Sequence, residues 1–181
     1  MKELWQLYDE QGRPLKGRGA GKEEVFKEGI LHGASHVWIW RRDSSGQVEI
    51  LLQKRAANKR TWPNRYDISA AGHIDLGETP IEAALREAKE EINLDIDSND
   101  LKLLGVHRAY MQAENGAIEN EFQWLYSLEI SGELELNLQD SEVESVSWIP
   151  MNRFKAECSG DNHVPHGRPY YDTLIESLDR V

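Results

Sequence analysis

The chain has 181 residues, 39% of them hydrophobic and six of them tryptophan, which is enough to fill one domain core and too apolar for general disorder. A formal net charge of −11 argues against a nucleic-acid polymer as partner, because phosphate backbones need a basic face. It leaves a small phosphorylated substrate open, since a bound cation reverses the local field. Cys158 is the sole cysteine, no apolar run reaches membrane-spanning length, and Met-Lys-Glu-Leu-Trp is no signal-peptide core. The expectation is a cytoplasmic chain with no disulfide and no membrane partner, and a homodimer is left open.

In chain order, residues 4–8 read as a short strand turned by Asp9-Glu10-Gln11-Gly12 toward Pro14-Leu15, and 16–22, with three glycines, as a loop. Residues 36–40 form a strand with a hairpin partner at 48–53, across Asp43-Ser-Ser-Gly46. A basic loop over 56–64, closed by Trp62-Pro63, leads to a short strand at 66–70. Thr79 followed by Pro80 is a cap before an N1 proline, and opens a helix that runs to Ile92. Residues 101–109, 121–130 and 143–149 are further strands, with helices at 151–156 and 170–178. Trp38, Trp40 and Trp124 fall on strands, where core packing outweighs base stacking as their role. This order predicts an α/β fold, a mixed sheet sandwiched between helices.

The densest chemistry lies between Gly72 and Leu94. A glycine loop, with Gly72 and His73 in it, runs into the 80–92 helix, whose last two turns carry Arg86, Glu87, Glu90 and Glu91. At 100° per residue Glu87 and Glu91 fall about 40° apart, with Glu90 just beyond. Ile81, Ala84, Leu85, Ala88 and Ile92 form a separate apolar stripe. Three acids crowded at a helix C-terminus repel one another and oppose its dipole, and a hard divalent cation, Mg²⁺ or Mn²⁺, relieves both penalties.

Gly72, Glu78, Arg86, Glu87, Glu90, Glu91 and Leu94 stand at the spacing of the Nudix hydrolase signature, G-x5-E-x7-R-E-U-x-E-E-x-G-U, and the segment resembles that family. Ala88 is smaller than the usual U residue, and Asn93 replaces the last glycine, where asparagine tolerates the left-handed helix end. The resemblance implies a single Nudix domain over 1–181: an N-terminal hairpin and loop extension at 1–30, a core at 31–157, and a C-terminal loop and helix at 158–181. It also implies metal-dependent cleavage of a diphosphate linkage in a nucleoside-diphosphate-type or related substrate. Glu87, Glu90, Glu91 and Glu121 are the implied metal ligands. Glu90, Glu91, Glu121 and Arg86 form the catalytic set, with Arg86 orienting Glu78 or Glu90 rather than touching substrate.

His32, the run from Leu51 to Ala56, Lys59, Trp62-Pro63, Gly72-His73 and Glu119-Asn120-Glu121 are similar to landmarks of the isopentenyl-diphosphate isomerases, relatives on the same fold. They imply a second metal site of His32, His73 and Glu119 with Glu121, a donor set suited to Zn²⁺ or Mn²⁺. Glu119 is the weaker member, with a solvent-facing role as its alternative. Those isomerases carry a cysteine directly before Gly-His to move a proton at carbon; here the position is Ala71, which has no proton to give. Hydrolysis is therefore the leading expectation, ahead of isomerisation and of a non-catalytic binding module. Lys54, Arg55 and Lys59 are the candidate phosphate ligands, with solvated loop charge as the competing reading of each.

Overall fold

A computed structural model describes residues 3–139 and 141–181. Its elements in chain order are β1 (Trp5–Tyr8), β2 (Pro14–Ala20), α1 (Lys22–Glu28), β3 (His32–Arg42), β4 (Val48–Arg55), β5 (Tyr66–Asp67) and β6 (Ala70–His73). There follow α2 (Pro80–Ile92), β7 (Lys102–Gln112), β8 (Ile118–Glu129), β9 (Val143–Pro150), α3 (Met151–Glu157) and α4 (Arg168–Leu178).

β3 is the hub of the sheet. Along one side it pairs in parallel with β8, from His32↔Glu121 to Trp40↔Glu129. Along the other it pairs antiparallel with β6, from Ala34↔His73 to Val37↔Ala70, and then with β4, from Trp40↔Ile50 to Arg42↔Val48. One parallel pair among antiparallel ones makes the sheet mixed. The period of two in β3 sorts its side chains onto two faces. Val37 and Ile39 pack with Leu51, Ala70, Ala84, Ala88 and Ile92 under α2. Trp38 and Trp40 pack with Phe154, Leu174 and Leu178 under α3 and α4. Helices thus cover both faces, as the sequence predicts, and the three tryptophans read as core are packed there, Trp124 only partly buried.

α2 is positioned from both ends. Thr79 and Glu82 form a reciprocal capping box, Pro80 takes the first helical position, and the Pro80 carbonyl accepts the Ser35 hydroxyl at 2.6 Å. Ala84, Ala88 and Ile92 are fully buried, so the small residues let the helix sit close on the sheet. The helix ends at Asn93 in the left-handed region, φ 56° and ψ 36°. Among the described residues no helix is long and apolar enough to cross a membrane.

Two local expectations are corrected. The glycine-rich 16–22 stretch is strand as far as Ala20, because β1 templates it through Trp5↔Ala20 and Gln6↔Gly19. α1 follows it, a helix of 7 residues too short to show a period, that buries Val25 and Phe26. The strand expected at 66–70 is two strands. Ser69 accepts the Ile39 N–H at 2.8 Å and donates to the Leu51 carbonyl at 2.6 Å, so the chain crosses there from β4 to β3. Gly72 and His73 consequently lie in strand β6 rather than in a loop.

Candidate metal and phosphate site

The register that builds the sheet also gathers the site. His32 and Ala34 share a face of β3; Glu121 is the partner of His32 and His73 the partner of Ala34. Three strands therefore bring three side chains together, with His32 Nε2 at 3.3 Å and His73 Nε2 at 3.8 Å from Glu121 Oε2. His32 Nδ1 lies 2.8 Å from the Ile30 carbonyl and so carries its hydrogen. The buried Nε2 has no hydrogen-bond partner and aims a lone pair at a carboxylate. Two acceptors facing each other fit a cation between them, and two imidazoles with a carboxylate suit Zn²⁺ or Mn²⁺.

Burial raises the Glu121 carboxyl, but the neighbouring imidazoles of His32 and His73 outweigh it and hold the group well below the carboxylate range. Burial, helped by His32, pushes His73 well below its ordinary value. Glu119 does not simply face solvent: it is half-buried on the cavity wall, and burial and the Glu121 charge push its carboxyl up. It is not part of the three-residue cluster. Trp5, unremarked in its strand at the sequence level, stacks on His73 with ring centres 3.5 Å apart and planes at 11°.

The α2 acids approach from the other side of β6. A Cβ on residue 72 would lie 2.1 Å from the Glu87 carboxyl carbon, so only glycine leaves room for that carboxylate. The Ala71 N–H donates to Glu91 Oε2 at 3.0 Å. Arg86 grips both oxygens of Glu78 at 2.9 Å, reaches Glu87 at 2.6 Å and Glu90 at 3.3 Å, and donates to the His73 carbonyl at 2.8 Å. One guanidinium serves three acids, which fits an orienting group rather than a substrate contact. Burial pushes Glu87 up to about 7 against the opposing charge of Arg86, and burial with the Glu87 charge pushes Glu91 up to about 8. Carboxylates crowded beyond the available positive charge are a donor set that fits a hard divalent cation.

Both acid groups line one cavity of about 760 Å³. Arg55 and Lys59 reach its wall, but each is already engaged, Arg55 with Asp67 at 2.8 Å and the Thr61 carbonyl at 3.0 Å, Lys59 with Glu142. Lys54 is a correction. One residue along β4 it points elsewhere, pairs with Glu144 at 2.9 Å and stands outside the cavity. The tail contributes His166, bonded to Asp67 at 2.9 Å. Burial alone would raise Asp67, yet His166 and Arg55 hold it far below the carboxylate range. Cys158 is buried in the core among Trp38 and Phe154 and does not line the cavity.

Residues 32–173 match the NUDIX domain family. An uncharacterized Nudix hydrolase of Clostridium acetobutylicum is 36% identical, with 97% of each chain covered. Nudix hydrolase 3 of Arabidopsis thaliana is 32% identical over 79% of this chain, which spans only 19% of that longer protein. An isopentenyl-diphosphate Delta-isomerase of Cutibacterium acnes is 35% identical over 59% of this chain and 55% of its own length. Among solved structures, DR0079 from Deinococcus radiodurans superposes with a TM-score of 0.66 at 19% identity, covering 98% of both chains.

Proposed function

The chain belongs to the Nudix family, in a branch whose relatives carry both hydrolase and isomerase names, and on that premise we propose that it is a divalent-metal-dependent hydrolase of a diphosphate linkage. The observation that carries the reading is the pair of Glu91, buried, and Glu87, half-buried, on the cavity wall with too little positive charge to balance them. Glu87 and Glu91, with Glu90 at the exposed rim, would hold Mg²⁺ or Mn²⁺. A cation there supplies positive charge to the diphosphate oxygens as negative charge develops on them. Arg86 keeps Glu78, Glu87 and Glu90 in register. Glu90, 56% exposed and beside the cavity, is either that third ligand or the base that takes a proton from an attacking water. Glu121 is the alternative acceptor or ligand, but its depressed pKa makes it the weaker base. Lys59 and Arg55 would receive phosphate.

His32, His73 and Glu121 would hold a second cation, Zn²⁺ or Mn²⁺, with Glu119 nearby. This cluster favours an isomerase as the second reading. Moving an allylic double bond needs two proton-transfer groups on opposite faces of the substrate, and Ala71 supplies none. The fully buried Cys158 agrees with a reducing compartment such as the cytoplasm.

The test is a panel of diphosphates: nucleoside di- and triphosphates, nucleotide sugars, ADP-ribose and isopentenyl diphosphate. Each is incubated with Mg²⁺ or Mn²⁺, with and without chelator, and released phosphate, nucleoside monophosphate and dimethylallyl diphosphate are measured. Chelator-sensitive hydrolysis of one class is the expected result. Conversion of isopentenyl to dimethylallyl diphosphate without phosphate release would replace the hydrolase by the isomerase.

A further inference from the structure

Among the described residues, every cation on the cavity wall except Lys22 already has an acid within ion-pair distance. Arg55 has Asp67 at 2.8 Å, Arg60 has Glu23 at 2.7 Å, Arg86 has Glu87 at 2.6 Å, and Lys59 has Glu142. These pairs differ in kind. Asp67 is buried and shared with His166, and Arg86 belongs to the acid helix. Glu23 is 81% exposed, so water and salt screen it. Lys59 and Glu142 lie between these extremes, 20% and 33% exposed, and both face the cavity.

The main chain, not the lysine, puts Glu142 there. Its carbonyl accepts the Ala56 N–H at 3.0 Å and its own N–H donates to the Gln139 carbonyl at 2.8 Å. Gln139 in turn donates its N–H to the Glu91 carbonyl at 2.9 Å, so the same stretch holds the end of α2. Burial pushes the Glu91 carboxyl up, and Lys59 is among the cations that oppose this. The Lys59 charge therefore lies within reach of both the acid helix and Glu142.

We propose that Glu142 is an internal competitor for substrate phosphate, a carboxylate that a phosphate group must displace from Lys59 in order to bind. The proposal rests on the diphosphate reading above. Its consequence is selectivity. A bare diphosphate meets Glu142 together with the α2 acids and Glu121, and is repelled. A diphosphate already complexed to a divalent cation carries less charge and takes the lysine at smaller cost. Glu142 thus determines which form of the substrate enters.

Calorimetric titration of the full metal-free chain with inorganic pyrophosphate tests this without turnover. Glu142→Gln should bind roughly three- to tenfold tighter than wild type, the scale of one partly exposed ion pair that no longer has to be broken. In Glu142→Gln/Lys59→Gln the gain should vanish, which separates release of the lysine from a general change of field. Glu144→Gln makes the same charge change beside Lys54, outside the cavity, and should give no gain. With Mg²⁺-complexed pyrophosphate the gain should fall below about twofold. Glu142→Ala repeats the measurement with a second side chain, and the melting temperature confirms that each variant is folded. Unchanged or weaker binding by Glu142→Gln, a gain that survives loss of Lys59, or no binding by any variant overturns the proposal. A chain that hydrolyses diphosphates but shows no Glu142 effect sinks this inference alone, and one that shows the effect without hydrolysis sinks only the hydrolase.

Discussion

The two acid groups on the cavity meet the cost of burying charge in opposite ways. On α2, Glu87 and Glu91 stand one turn apart with Arg86 shared among three acids, and both carboxyls are pushed up toward neutrality. Between the strands, Glu121 sits among imidazoles and is pushed down, fully ionised. The first group is short of positive charge, which on the proposed reading an outside cation would supply. The second is partly compensated from within by the imidazoles of His32 and His73. On the proposed reading this contrast would separate a hard, exchangeable metal role from a softer one.

The largest effect should come from Glu91→Gln, which keeps size and removes charge. Turnover in the diphosphate panel should fall by about 10² or more, the scale expected when a charge acting on the transition state is lost. The metal-free variant should melt no lower than wild type, because a repelled carboxylate is gone, while the rise in melting temperature on adding Mg²⁺ should shrink. Wild-type turnover by folded Glu91→Gln would remove α2 from the mechanism.

Behind the strand cluster lies His36, and it sets the next effect. Tyr170 accepts the Trp38 indole N–H at 3.0 Å, so its own hydrogen points to His36 Nδ1 at 2.8 Å and requires that nitrogen to be bare. Burial, with His166 adding repulsion, lowers His36 to about 4. The folded state therefore binds this proton less well than the unfolded chain. The associated stability is complete above about pH 6.5 and is lost as pH falls toward 4, by up to about 3 kcal/mol. Denaturant midpoints measured across that window should fall with acid in wild type and fall less steeply in His36→Gln, where His73, also held below its ordinary value, keeps part of the slope. Parallel curves would mean that another group carries the acid limb.

His32→Gln addresses the second half of the comparison. It should weaken Zn²⁺ or Mn²⁺ binding at the strand cluster by roughly ten- to a hundredfold, the range seen when a metal-site partner is lost. The Mg²⁺-dependent rise in melting temperature, which reads α2, should remain. Loss of both responses together would show one coupled metal site instead of two.

The same contrast explains what the sequence made legible. The α2 acids lie within one helix, so spacing alone places them, and Thr79, Pro80 and Asn93 mark its ends with short-range chemistry. The strand cluster needs residues 32, 73 and 121 to be brought into register, which no local period encodes; only the family resemblance pointed there. The engagement of Lys59 by Glu142 and of Arg55 by Asp67 depends on which elements fold against the 56–65 loop, and it stays invisible until the strands are paired. Lys54 was misread for the reverse reason: its neighbours in sequence are basic, but alternation along β4 sends adjacent side chains to different places.

The smallest effect tests the one signature position where the chain departs from glycine. Asn93 holds φ 56°, a conformation that costs an L-residue energy and that asparagine tolerates better than most. Its N–H and that of Leu94 cap the Lys89 and Ala88 carbonyls, both at 3.1 Å. Asn93→Gly should therefore stabilise the chain by a few tenths of a kcal/mol to about 1 kcal/mol, and Asn93→Ala should destabilise it by a similar amount. Turnover should be unchanged in Asn93→Gly, because the Glu91 carbonyl is held independently by the Gln139 N–H at 2.9 Å. Denaturant midpoints of the three proteins decide the matter. If Asn93→Ala is as stable as wild type, the helix end is not strained, and the position of Glu91 then depends on the Gln139 contact more than on the turn that follows it.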